Sequence, residues 1–160
     1  MTETVPGQPT EPSGPSPYER FGGAPFFDSL VSAFYRRVAI DPVLRPMYPD
    51  EDLTSAERRL RMFLEQYWGG PDTYQQERGH PRLRLRHTPF PIDSVARDRW
   101  LVNMHEAVAE QGLPDADEAE LWSYLVRAAF AMQNIDDIPS TGGMPLTVDQ
   151  PTAQQTKETP

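Results

Sequence analysis

The chain has 160 residues, a formal net charge of −9 and no cysteine. That length fits one domain. The negative charge argues against a nucleic-acid partner, because a polyanion is repelled at long range, and a chain without thiols forms no disulfide, thiolate zinc finger or cysteine nucleophile.

Residues 1–16 are rich in Pro, Ser, Thr and Gly and hold too little apolar surface to offset ordering entropy. They read as a disordered arm. Residues 139–160 have the same character and read as a disordered tail, leaving 17–138 as the folded domain. After a short turn at 17–21, Phe26, Phe27, Leu30, Val31, Phe34 and Val38 recur at helical three- and four-residue steps. A short piece follows, with Asp41 as its expected N-cap and Pro42 at the first helical position. Thr54 and Glu57 have the spacing of a capping box, opening a helix that carries Leu60, Phe63, Leu64 and Tyr67 on one face and stops at Gly69 and Gly70. The stretch from Pro71 to Pro81 shows no period and reads as a loop. A helix capped by Asp93 or Ser94 bears Trp100, Leu101, Met104 and Val108. The last helix has acidic residues in its first turn, where the dipole favours them, and then Leu121, Trp122, Leu125, Val126, Ala129 and Phe130. The fold class is therefore all-α, with about four substantial helices burying their stripes in two crossing pairs.

The stretch GHPRLRLRHTPF, residues 79–90, concentrates positive charge in an acidic chain: Arg78, Arg82, Arg84 and Arg86 surround His80 and His87. Its alternation suits a strand, but a lone strand among helices has no ladder partner, so a single helical turn ended by Pro89 is the economical reading. Two uses of this charge stand side by side. One is a solvated basic loop with an ordinary surface or capping histidine. The other is a haem site: a neutral imidazole for the iron from His87, apolar contact from Leu83 and Phe90, and a guanidinium from Arg84 or Arg86 for the anionic propionates. His80 precedes a proline and reads as exposed; His105 reads as a core or boundary residue of its helix.

The stretches from Arg20 to Ile92 and RDRWLVNMH (97–105) together resemble the group II truncated haemoglobins, small two-over-two bacterial globins, over roughly Tyr18 to Met132. The resemblance implies haem b as cofactor and His87 as the iron's axial ligand. It also implies three distal residues that act on the bound ligand: Tyr35 in SAFYRRV, Tyr48 in RPMYPDED and Trp100. Leu60 and Phe63 become pocket walls, and Ala56 falls where many other globins place a distal histidine. Gly22–Gly23 and Gly69–Gly70 match the family's breaks before the second helix and after the distal one.

Oxygen on ferrous haem takes on negative charge, and phenol O–H and indole N–H groups donate to it. A hydrogen bond to such charge is worth roughly 1.5–3 kcal/mol, so two or three donors slow oxygen release by orders of magnitude. The expected function is binding of O2, NO, CO or other small haem ligands, with chemistry on bound oxygen such as oxidation of nitric oxide to nitrate or peroxidase-like oxidation. A non-enzymatic oxygen binder for storage or transport is the alternative, and a haem-free helical interaction module is a third reading. An enzyme needs a separate reductase, since no flavin or nicotinamide motif is present. A homodimer is left open. No apolar run approaches the ~20 residues that cross a bilayer, and no secretory signal is visible; a cytoplasmic location is expected.

Overall fold

A computed structural model describes residues 14–137 of the chain. The expected arm and tail lie outside the described residues, apart from residues 14–16. Here the boundary shifts: Ser16 is the N-cap of the first helix rather than part of an arm.

Seven α-helices and one short 3-10 turn account for the regular structure among the described residues. They are α1 (Pro17–Phe21), α2 (Gly23–Val38), α3 (Thr54–Tyr67), α4 (Thr73–Arg78), α5 (Leu83–His87), α6 (Ser94–Ala109) and α7 (Asp115–Met132), with the 3-10 turn at Arg45–Met47. Helix α2 packs on α3 and α6, and α6 packs on α7, which gives the two crossing pairs. Phe27, Leu30, Phe34, Leu64, Met104, Val108, Leu121 and Leu125 are buried completely between them. Each such side chain contributes roughly 1.5–3 kcal/mol by leaving water.

Several local expectations fail for identifiable reasons. The capping box belongs to Ser16 and Glu19, whose side chains bond each other's backbone amides, and not to Thr54 and Glu57. Helix α3 starts one residue earlier at its cap, Leu53, and the Thr54 hydroxyl is taken by Asp52 at 2.5 Å. Asp41 caps no α-helix; its Oδ1 accepts from the amides of Val43 and Leu44, both at 2.9 Å, and holds a turn. The expected loop at 71–81 contains helix α4, which sets its one buried side chain, Tyr74, against Phe63 of α3 at 5.7 Å between ring centroids. Phe130 and Tyr67, placed on core stripes by their spacing, are both about half exposed; the guanidinium of Arg97 covers Phe130 at 4.1 Å. His105 is exposed, with its ring edge on Trp122.

Two glycines fix the ends of the α2–α3 pair. Gly22, at φ 123°, lets the chain break between α1 and α2 without a Cβ penalty. A Cβ on Gly70 would stand 2.6 Å from the Tyr18 ring and 2.9 Å from the Glu65 carbonyl. Only glycine admits that approach, which lets α1 lie on the end of α3, where the Tyr18 amide bonds the Trp68 carbonyl at 2.9 Å. Arg20 then ties α1 to Asp117 and Glu120 on α7.

Candidate functional site

The RLRLRH stretch is helical, as the economical reading has it: α5 is a single turn entered through Arg82 in the left-handed region at φ 42°. Its last residue is His87. The His87 Nδ1 lies 2.6 Å from the Leu83 carbonyl, one turn back. A carbonyl accepts only, so Nδ1 carries a proton, and in the neutral ring Nε2 is the nitrogen with the free lone pair. This fixes the tautomer and the ring plane together, as a partner of the second nitrogen does for a metal-bound histidine.

The turn is itself anchored from a distance. Asn134, just beyond α7, donates through Nδ2 to the carbonyls of His87 at 3.1 Å and Phe90 at 2.8 Å, and its Oδ1 accepts from the Ile92 amide at 2.9 Å. The Asn134 and Ile135 amides both bond the Ile92 carbonyl. Sequence reasoning missed this residue, and nothing in its neighbourhood signals it.

The four arginines divide into different roles. Arg86 is held by backbone: Nε donates to Pro81 at 2.7 Å and an Nη to Arg78 at 2.7 Å, with its guanidinium 5.9 Å from the Tyr74 ring. It closes the loop behind α5. Arg84 is exposed and forms no ion pair among the described residues. Its guanidinium is left uncommitted.

On α2, Tyr35 is buried, with its ring edge-on to Tyr48 at 5.8 Å and to Phe34 at 5.1 Å. Phe34 in turn meets Trp100 of α6 at 5.3 Å. The three residues named as distal donors thus form one connected aromatic group. Burial, reinforced by Tyr48, pushes the Tyr35 phenol well above its ordinary value. Burial also raises Tyr48, against the opposing influence of Tyr35 and Arg59. Both hydroxyls therefore stay protonated at neutral pH and can donate.

Tyr48 and Trp100 are brought to the same corner by a buried carboxylate. Asp41 is 3% exposed. Its Oδ2 accepts from Arg99 Nε at 3.0 Å, Arg99 Nη at 2.6 Å and Asn103 Nδ2 at 2.9 Å. Burial pushes this carboxyl up, but the Leu44 amide, Asn103, Arg99 and the Val43 amide together outweigh it and hold it far below the usual carboxylate range. The loop ending in Tyr48 is thereby clamped to the residues on either side of Trp100's turn.

Leu60, Phe63, Leu83, Phe90 and Trp100 are all half-buried, unlike the closed core. Phe90 sits beside the His87 ring at 6.5 Å between centroids. A cleft of about 400 Å3 borders Tyr35, but Arg36, Arg45, Glu51, Asp52 and Glu57 line it, so it is not an apolar slot. Among the described residues no group of three or more His, Asp or Glu converges to hold a bare metal ion. The donor set therefore suits a metal that arrives within its own macrocycle: one oriented imidazole, half-buried apolar and aromatic side chains, and an uncommitted guanidinium.

The family described as bacterial-like globin matches residues 16–134. Group 2 truncated hemoglobin YjbI of Bacillus subtilis is 44% identical over 74% of this chain and 89% of its own length. The structure of a thermostable hemoglobin from the actinobacterium Thermobifida fusca is 57% identical, covers 76% of this chain and 98% of its own, and superposes with a TM-score of 0.75. That of a truncated oxygen-avid haemoglobin from Bacillus subtilis is 42% identical over 75% of this chain and 100% of its own, with a TM-score of 0.71. The chain belongs to the bacterial-like globins, within the group II truncated haemoglobins. Membership carries with it a haem iron and the binding of oxygen and similar small ligands. No helix of the described residues is long and apolar enough to cross a membrane.

Proposed function

We propose that this chain would hold haem b through His87 as a ligand to its iron, retain oxygen tightly, and use it in oxidation of nitric oxide to nitrate or in peroxidase-like oxidation. The observation that carries the assignment is the His87 ring, locked by the Leu83 carbonyl with Nε2 left to coordinate. The group supplies an iron that binds diatomic ligands and exchanges electrons. The protein's own residues do the rest. Leu60, Phe63, Leu83 and Phe90 exclude water from the macrocycle. Arg84 pairs with a propionate, Arg86 being committed to the loop carbonyls. Tyr35, Tyr48 and Trp100 donate to a ligand that gathers negative charge, and each such bond is worth roughly 1.5–3 kcal/mol.

Tight retention favours chemistry over delivery. The oxygen avidity stated for the Bacillus subtilis relative supports that direction. Turnover then requires a separate reductase, and a cysteine-free chain suits the reducing cytoplasm.

Absorption spectra of the ferrous protein with and without oxygen test the assignment, and His87→Ala tests the ligand. Wild type gives an intense haem band that shifts with oxygen, whereas the variant loses that band or regains it only with added imidazole. An unchanged spectrum in His87→Ala refutes the axial role. Stopped-flow mixing of the oxygenated protein with nitric oxide yields stoichiometric nitrate if the dioxygenase reading holds. Rapid oxygen release with no nitrate supports a carrier instead.

A further inference from the structure

At the far end of α3 the aromatic side chains do not stop at the core. Phe63 neighbours Tyr67 at 6.2 Å between centroids, and Tyr67 meets Trp68 edge-on at 5.1 Å. Tyr67 also stacks on Tyr124 of α7 at 3.9 Å and 21°, while Trp68 stands at 5.4 Å from Tyr124. This is a tight group of two phenols and an indole, the side chains that give up one electron most readily. It begins at a residue assigned to the pocket wall and ends at the surface, where Tyr67 is 48% exposed. The Trp68 Nε1–H is buried and has no hydrogen-bond partner, a state that costs about 1–3 kcal/mol.

We propose that the Tyr67–Tyr124 pair is a surface oxidation site, where oxidising equivalents generated by a hydroperoxide at the haem are handed to phenolic reductants at the protein surface. The proposal rests on the haem reading above and adds a second place of reaction. Tyr67 gives one electron inward past its neighbour Phe63 and its phenol proton to water, becoming a neutral phenoxyl. A phenolic substrate then restores Tyr67 by giving it one hydrogen atom. Two such cycles return the two electrons that hydrogen peroxide withdrew in becoming two waters. The stacked Tyr124 ring shares the electron deficiency, and the exposed Tyr67 hydroxyl is the one with water at hand to take a proton. Without substrate, phenoxyls on two molecules couple through ring carbons, so that one peroxide and two tyrosines give two waters and one biphenol.

The test uses the full chain loaded with haem, hydrogen peroxide as oxidant and guaiacol as reductant, with Tyr67→Phe retaining the ring stack. Electron paramagnetic resonance of the wild type shows a tyrosyl signal. Without guaiacol, a fluorescent covalent dimer forms whose cross-linked peptide contains Tyr67. In Tyr67→Phe the dimer and guaiacol oxidation both fall by about tenfold or more, while the haem spectrum and oxygen release stay as in wild type. A variant with an undiminished radical, dimer and guaiacol rate overturns the proposal and leaves the haem reading intact. A chain that takes up no haem is recognised by its spectrum before peroxide is added, and it overturns both.

Discussion

Replacing Asp41 by alanine removes the acceptor that joins the Tyr48 loop to α6. In the wild type this carboxylate receives the Val43 and Leu44 amides, the Asn103 amide and two guanidinium N–H groups, all at 2.6–3.0 Å. The side chain of Arg99 is 43% exposed, so water rehydrates that cation and the full penalty of an orphaned buried charge does not apply. The amides of Leu44 and Asn103 have no such recourse, and each lost bond to a charged acceptor costs about 1.5–3 kcal/mol. Asp41→Ala should therefore lower unfolding free energy by about 3–6 kcal/mol, and Asp41→Asn, which keeps one acceptor for the amides, by about 1–3 kcal/mol. Urea titration at neutral pH measures both. The pH dependence has a fixed sign. The folded carboxyl is held below its unfolded value, so its contribution is complete above about pH 4 and disappears as pH falls through the folded value. The gap between wild type and Asp41→Asn must then close in acid. A loss below about 1 kcal/mol in Asp41→Ala, or a gap that widens as pH falls, refutes the clamp.

Three further substitutions probe other contacts. Tyr35→Phe keeps the ring against Phe34 but removes the phenol, and oxygen dissociation measured by stopped flow should accelerate by about ten- to a hundredfold. Asn134→Ala frees the His87 turn from three hydrogen bonds at a cost of about 1 kcal/mol; faster haem transfer to an excess of apomyoglobin is the expected readout. Gly70→Ala forces apart the Tyr18 ring and the Glu65 carbonyl and should lower stability by about 1–3 kcal/mol in thermal or urea unfolding.

The long helices were legible because their apolar residues recur at helical steps, and Phe27, Leu30, Phe34, Met104, Leu121 and Leu125 are buried where that period puts them. Periodicity gives the direction of a side chain but not the width of the neighbour facing it. Phe130 and Tyr67 consequently emerged at the surface although they lie on the right stripes. Helix α4 was invisible because only Tyr74 of its six residues is buried, and one apolar residue has no period. The capping pattern occurs at both Ser16–Glu19 and Thr54–Glu57, and the second is lost to a competitor two residues away, Asp52. At the site, the histidine turn was readable against its own alternating pattern, because a lone strand has no ladder partner among helices. The division of labour between Arg84 and Arg86 was not, since it depends on where the Arg78 and Pro81 carbonyls point. Asn134 acts on residues more than forty positions earlier, a relation that no local pattern encodes.

The described chain ends at a sensitive place. Asp137 accepts from the Ser94 amide at 3.3 Å, three residues after the asparagine that staples the imidazole turn. Cargo attached just beyond that point pulls on the turn that carries His87, whereas cargo ahead of Ser16 pulls on a helix bolted to α3 and α7. Anyone tagging, tethering or fusing this globin has one handle that leaves its chemistry alone and another that works as a lever on it.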